Sequence, residues 1–240
     1  MANILYKSTN YNIPIIFEDN HLIIVKKPVG MLSQADKTGD VDLLNIIKEY
    51  IRVKYEKPGA AWLGLVHRLD RPVGGLMAFA KTSKAASRLS DQIRKNTFVR
   101  KYLAVVHGHL QPKNGIWDEH ISKKKIKGKY VVNTNLDPKY LNKYQACSLN
   151  YQVQAYLPKQ NLSLVEIELK TGRSHQIRAQ MKAHDHPLIG DRLYGKLTHL
   201  DRKANGPALY ASFLQFKHPV KDEILIYKSS SEDFPFTLFE

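Results

Sequence analysis

An aspartate set between two arginines, with a proline and two glycines just beyond, is a pattern that a packed strand rejects and a reactive loop can use. The segment is His67-Arg68-Leu69-Asp70-Arg71-Pro72-Val73-Gly74-Gly75. Its turn residues place Asp70 in a loop that enters a strand at Leu76. Guanidinium groups on either side favour the charged form of a carboxylate. An ionised carboxylate beside a sugar or an RNA base can act as nucleophile or base. For those few residues taken alone, a salt bridge closing a surface turn is the favoured account. A second segment, Thr171-Gly172-Arg173-Ser174-His175-Gln176-Ile177-Arg178, sets two arginines, a histidine and an amide where a strand passes into a helix. Helix starts attract anions, and Arg173 could grip a carboxylate or phosphate with two parallel bonds. A third, Lys101-Tyr102-Leu103-Ala104-Val105-Val106-His107-Gly108, carries a strand tyrosine that either stacks on a base or belongs to the core.

Other motifs fail on chemistry. Gly190 to Lys196 has phosphate-loop spacing, but Leu197 stands where a hydroxyl must meet magnesium. His184-Asp185-His186 lacks a third ligand at helical spacing, and Pro187 follows directly. No nucleophile elbow or dinucleotide turn is present in the sequence.

The elements that must position these residues follow from periodicity and turn chemistry. Ile15-Ile16-Phe17 and Leu22-Ile23-Ile24-Val25, parted by Glu18-Asp19-Asn20, read as a hairpin closed by Pro28 and Gly30. Asp40 is the expected cap of a helix that aligns Leu43, Leu44, Ile47, Tyr50 and Ile51. Leu76–Ala80 reads as a strand, after which Thr82 or Ser83 caps a helix burying Ala86, Leu89 and Ile93. Phe98–His107 is a strand with Arg100 and Tyr102 on one side, and Val165, Ile167 and Leu169 alternate along another. Ile177 and Met181 suggest a helix after Arg173, and residues 110–150 read as peripheral strands and a loop. Strands and helices without regular βαβ spacing favour an α+β class around a mixed sheet.

Composition bounds the partner. With 37 Lys and Arg against 22 Asp and Glu, the 240-residue chain carries a formal charge of +15. That excess points to a polyanion, most simply a nucleic acid. The run Lys123-Lys124-Lys125-Ile126-Lys127-Gly128-Lys129 reads either as a flexible arm for phosphates or as a solvated loop. Cys147 alone excludes an internal disulfide framework and a multi-cysteine metal site. No apolar run is long enough to span a bilayer, and residues 1–12 lack the apolar core of a secretory signal, so a cytoplasmic location is expected.

Taken in order, HLIIVKKPVGM (21–31), HRLDRPVGGLMAFAKT (67–82), KYLAVVHG (101–108), TGRSHQIRAQM (171–181) and HPLIGDRLYG (186–195) resemble the RluA family of RNA pseudouridine synthases. The resemblance covers about residues 13–218. It implies one catalytic domain over residues 1–240: an α+β fold with a mixed, mostly antiparallel sheet in two subdomains flanking a cleft. Because it begins near Ile13, no N-terminal S4 RNA-binding module is expected. The implied activity turns uridine into pseudouridine in structured ribosomal or transfer RNA, without metal or organic cofactor; a monomer is the default. The resemblance assigns Asp70 as the nucleophile, Tyr102 to the target base, Arg173 to the aspartate as charge partner, and Arg68 to the space the nucleotide vacates. His67, Arg71, His175, Gln176 and Arg178 are expected to contact RNA. Gly74 replaces a small hydroxyl residue of the family pattern and Ser174 a threonine; glycine at 74 is expected to loosen the turn. The alternative function is an inactive RNA-binding or ribosome-assembly protein of the same fold.

Overall fold

The computed structural model describes residues 3–5, 12–133 and 137–239. Most of the N-terminal stretch read above for a secretory signal therefore lies outside the described residues. The chain forms two compact units: residues up to Arg100 together with Ala211–Ser230, and Lys101–Tyr210 together with the segment from Ser231 onward. No described helix is long and apolar enough to cross a membrane.

The chain begins with β1 (Asn3–Leu5), β2 (Asn12–Glu18) and β3 (Leu22–Lys27), then α1 (Leu43–Lys54), β4 (Gly64–Leu65), β5 (Gly74–Ala80) and α2 (Ser83–Arg94). It continues through β6 (Val99–His107), β7 (Asn114–Ser122), β8 (Val132–Asn133), a 3-10 turn (Pro138–Lys143), β9 (Tyr144–Leu157) and β10 (Leu162–Leu169). α3 (Gln176–Ala183), α4 (His199–Lys203), β11 (Leu209–Lys217) and β12 (Ile224–Lys228) complete it.

In the first unit β1, β2, β3 and β5 pair antiparallel in that order, β11 neighbours β5, and β12 closes the edge on β11. The β2–β3 turn forms where it is expected, because the Asp19 carboxylate accepts the amides of His21 and Leu22. Every residue of β5 is buried, which explains a run of small and apolar residues with no polar alternation. Leu22, Ile24, Leu76, Ala78, Leu89 and Leu214 form the core, with Phe98 and Phe216 stacked at 4.5 Å. Thr82 caps α2 through the Ala85 amide. For α1 the cap is Asp42, which accepts from the Asn45 amide, and not Asp40. Asp40 lies two residues too early to reach the first turn and pairs instead with Arg71 at 2.7 Å.

In the second unit β6, β10, β9, β7 and β8 pair antiparallel in that order. Val105, Leu162, Ile189 and Ala208 form one core, supported by Phe234 and Phe236. Ile121, Cys147, Ala179 and Tyr194 form another. Burial pushes the Cys147 thiol up to about 12, so the chain's one cysteine is an inert core residue.

Candidate active-site residues

Asp70 is half-buried on a loop whose neighbours are clamped on both sides. The Ser33 hydroxyl donates to the Leu69 carbonyl at 2.7 Å and accepts the Leu69 amide at 3.1 Å. On the other side the Arg71 carbonyl accepts from the Gly30 amide at 3.0 Å and from Lys27 Nζ at 3.1 Å. The Asp70 carbonyl accepts the Val73 amide at 2.9 Å, closing the turn. Asp70 thus sits between two residues whose backbone is fixed from outside the loop.

Lys27 is the residue that sequence reasoning missed. It is 1% exposed, and its Nζ also donates to the carbonyls of Pro28 (3.0 Å) and Met31 (2.6 Å). An ammonium group has three N–H donors, and here three carbonyls take them. Burial pulls this lysine down to about 7, opposed by the attraction of Asp70 and aided by repulsion from Arg71. One signal was available: Lys26 and Lys27 end a strand whose preceding four residues are all apolar and buried on both faces. At least one of the two therefore had to find internal partners.

Gly74 and Gly75 lie where the backbone passes close to its neighbours at the loop exit. Gly75 lies at φ +118°, and a Cβ there would stand 2.3 Å from the Ala211 carbonyl oxygen, so only glycine fits. At Gly74 a Cβ would meet Val29 Cγ2 at 2.9 Å. A side chain at 74 would therefore require Val29 to move.

Arg68 is exposed, and Arg71 is exposed with its Nε on the Gly30 carbonyl and Nη1 on Asp40. His67 is buried: Nε2 accepts the Ala78 amide at 3.0 Å, and the ring lies 5.7 Å from that of Phe98. Burial, with nearby Arg100, pushes its imidazole down to about 3. A neutral ring held inward cannot meet RNA phosphates as a cation.

In the second unit Tyr102 lies on β6 opposite Ile167 and is 5% exposed. Arg173 is exposed at the turn after β10, with Nε fixed on the Ala146 carbonyl at 3.0 Å. Gln176 builds that turn. Its Oε1 accepts the Arg173 amide (3.0 Å) and the Thr171 hydroxyl (2.8 Å), and its Nε2 donates to the Ser148 carbonyl and to Gln180 Oε1, both at 3.0 Å. Gln180 in turn donates to Glu119 at 2.9 Å. His175, at φ +55°, opens α3 in left-handed backbone, with Nδ1 3.2 Å from the Tyr194 hydroxyl.

Arg178 is buried, bidentate on Asp191 at 2.7 and 2.9 Å, and stacked over Tyr194 at 5.2 Å. Three residues anticipated at an RNA surface, His67, Gln176 and Arg178, are therefore buried and bonded inward. Polar side chains at a strand–helix junction carry no periodicity that reveals which way they face. Among the described residues no group of three or more His, Cys, Asp or Glu could hold a metal ion.

The comparisons with known proteins converge. Residues 21–183 match the family model described as RNA pseudouridylate synthase. An uncharacterized RNA pseudouridine synthase of Bacillus subtilis, YhcT, is 35% identical over 88% of this chain and 66% of its own length. The ribosomal large subunit pseudouridine synthase D of Nitrosomonas europaea is 34% identical over 91% of this chain and 62% of its own. The chain thus spans slightly less than two thirds of the length of these relatives. In fold, human RNA pseudouridylate synthase domain containing 4 matches with a TM-score of 0.74, covering 94% of this chain and 91% of that one at 22% identity. On the matched segment, which runs from β3 through the aspartate loop to the arginine turn and α3, the chain belongs to the RNA pseudouridylate synthase family, as its RluA-type motifs implied.

Proposed function

We propose that the protein converts uridine to pseudouridine in structured RNA. The glycosidic bond from C1′ to N1 of the uracil breaks, the base turns within the site, and a C1′–C5 bond forms. The proton leaves C5 and N1 regains one, so the reaction is a net isomerisation that needs no redox partner. Asp70 acts as the nucleophile that carries the intermediate, Arg173 supplies the cationic charge and Tyr102 the aromatic ring. Arg68 takes the place of the extruded nucleotide. Lys27 and His67 brace the aspartate loop, Gln176 braces the arginine turn, Arg178 ties α3 to Asp191, and Arg71 and His175 contact RNA. A uridine inside a stem has to be flipped out, at a cost of a few kcal/mol that backbone contacts offset.

The observation that carries this proposal is the way the loop fixes both neighbours of Asp70 and leaves the carboxylate itself half-buried. Two carbonyl clamps around one acid are costly to build for a mere turn, and they serve a group that must be held still while a bond forms. Relatives named for the large ribosomal subunit make ribosomal RNA the first substrate to test, with transfer RNA second. The protein works in the cytoplasm as a monomer.

The test is Asp70→Asn. With RNA from cells lacking the gene, the wild type should form pseudouridine at defined positions. The variant should bind the same RNA within about three-fold while its conversion falls at least about 10⁴-fold, a loss of about 5 kcal/mol of transition-state stabilisation. Wild-type protein that binds RNA and modifies none would establish the inactive RNA-binding alternative.

A further inference from the structure

Between β7 and β9 the described residues carry Lys123, Lys124, Lys125, Lys127, Lys129, Lys139 and Lys143 against a single acid, Asp137. The five lysines of 123–129 are all exposed. Of the seven, only Lys139 has a carboxylate partner among the described residues, Asp137 at 2.7 Å. A cluster of this density repels itself, and a fold retains it most readily where an external anion relieves the repulsion.

The run folds into a hairpin turn. Ile126 and Lys129 exchange backbone bonds of 2.7 and 3.1 Å across Lys127 and Gly128, both at positive φ (48° and 81°). Two left-handed central residues with glycine second form the mirror-image turn that suits the twist of paired strands. The base of the hairpin is pinned. The Ser122 amide donates to the Val131 carbonyl at 2.8 Å, the Lys123 amide to the Lys143 carbonyl at 2.9 Å, and the Tyr130 amide to the Tyr194 hydroxyl at 2.9 Å. The Tyr130 ring also meets His175 edge-on at 5.3 Å. His175 lies two residues after Arg173, so the hairpin and the arginine turn share one anchorage. Beside it, Lys139 and Lys143 lie over the ring of exposed Tyr140 at 5.0 and 5.4 Å.

We propose that this hairpin, with Lys139 and Lys143, grips the RNA phosphate backbone next to the nucleotide handled at the Arg173 turn. This assignment rests on the RNA-modifying function proposed above and names where that function takes hold of its substrate. Lysines are flexible point charges that suit phosphates and do not read base edges, so the grip is independent of sequence. An RNA fits better than a lipid surface. The tip is a two-stranded turn with one apolar side chain, Ile126, among its lysines, whereas membrane binding calls for an amphipathic helix.

The test compares the wild type, K124Q/K125Q/K127Q, and a control triple that removes the same charge from exposed sites elsewhere, K57Q/K159Q/K203Q. Fluorescence anisotropy with a labelled RNA stem-loop is read across a salt series. Three lost phosphate contacts should flatten the slope of log affinity against log salt by about 2 and weaken binding at least about ten-fold at moderate salt. The control should stay within about two-fold. An unchanged slope in the hairpin triple, or equal losses in both triples, would overturn the assignment. So would a hairpin triple that loses phosphatidylserine vesicles but keeps RNA. Pseudouridine formation by a wild type whose hairpin triple binds normally removes the grip and leaves the enzyme; RNA held through the hairpin with no pseudouridine formed does the reverse.

Discussion

The loop that carries Asp70 and the turn that carries Arg173 are both rigid, yet they are rigid by opposite means. The aspartate loop is fixed by a buried cation, Lys27, whose three N–H groups end on carbonyls. The arginine turn is fixed by neutral amides and a hydroxyl: Gln176 accepts from Arg173 and Thr171 and donates to Ser148 and Gln180. That network reaches its first charge only at Glu119, which also accepts from His184 at 2.7 Å. One loop is therefore braced by a single buried amine and the other by a chain of neutral side chains.

The strongest way to break this comparison is Lys27→Met. It leaves the Pro28 and Met31 carbonyls unserved and removes a buried amine that feels the charge of Asp70, so conversion should fall at least about 100-fold, or about 3 kcal/mol in transition-state free energy. A second readout isolates the charge. Burial holds Lys27 at about 7 in the fold, against about 10.4 in the unfolded chain. Between those values the unfolded chain binds the extra proton, so this residue makes stability rise with pH. From pH 7 to pH 9 the wild type should gain about 2 kcal/mol relative to Lys27→Met in urea unfolding. Parallel pH profiles would mean the lysine is not desolvated as its burial requires.

Gln176→Ala tests the neutral side. Four hydrogen bonds of a residue 2% exposed are lost, which should cost about 2–3 kcal/mol of stability. With Arg173 no longer held by its amide, kcat should fall about ten- to thirty-fold while KM moves less than about three-fold. A rise in KM alone would make Gln176 an RNA contact after all.

Much of this was legible in the sequence, for reasons that particular residues show. Asp19 and Thr82 act on amides two or three residues away, and such short-range chemistry reads directly from spacing. The α1 cap was misplaced by two residues because Asp40 and Asp42 are chemically equal, and only a partner 31 residues away, Arg71, separates them. Ser33 clamps Leu69 across 36 residues and Lys27 reaches Arg71 across 44, contacts with no periodic trace. The lysine hairpin was visible as charge, but its turn depends on Lys127 and Gly128 taking left-handed backbone. Sequence chemistry thus located the loops, and tertiary contact decided which of their polar residues face inward.

A smaller effect concerns His67, which bonds the aspartate loop to β5. Its Nε2 accepts the Ala78 amide, so the ring stays neutral, and burial holds it near 3. The unfolded chain picks up this proton near 6.5, so stability falls as the pH drops below that value. Acidifying from pH 7 to pH 5 should cost about 2 kcal/mol through this residue alone. His67→Gln, which keeps an acceptor for Ala78, should flatten that part of the profile.

The smallest change tests whether surface charge around Asp70 matters at all. Arg71 pairs with Asp40 at 2.7 Å, but both side chains are about half exposed, at 48% and 49%. Such a pair is screened by solvent and contributes less than about 1 kcal/mol. Its Arg71 end is also held by the Gly30 carbonyl, a contact that survives when Asp40 is changed. Asp40→Asn should therefore lower stability by about 0.5 kcal/mol or less, with the difference vanishing in high salt, and should alter conversion less than about two-fold. The comparison with Lys27→Met is the informative one: both remove a charged partner of the same loop, one exposed and one buried. If Asp40→Asn proved as damaging as Lys27→Met, the loop would depend on long-range field and not on the carbonyl clamp, and the ordering of the two effects would have to be reversed.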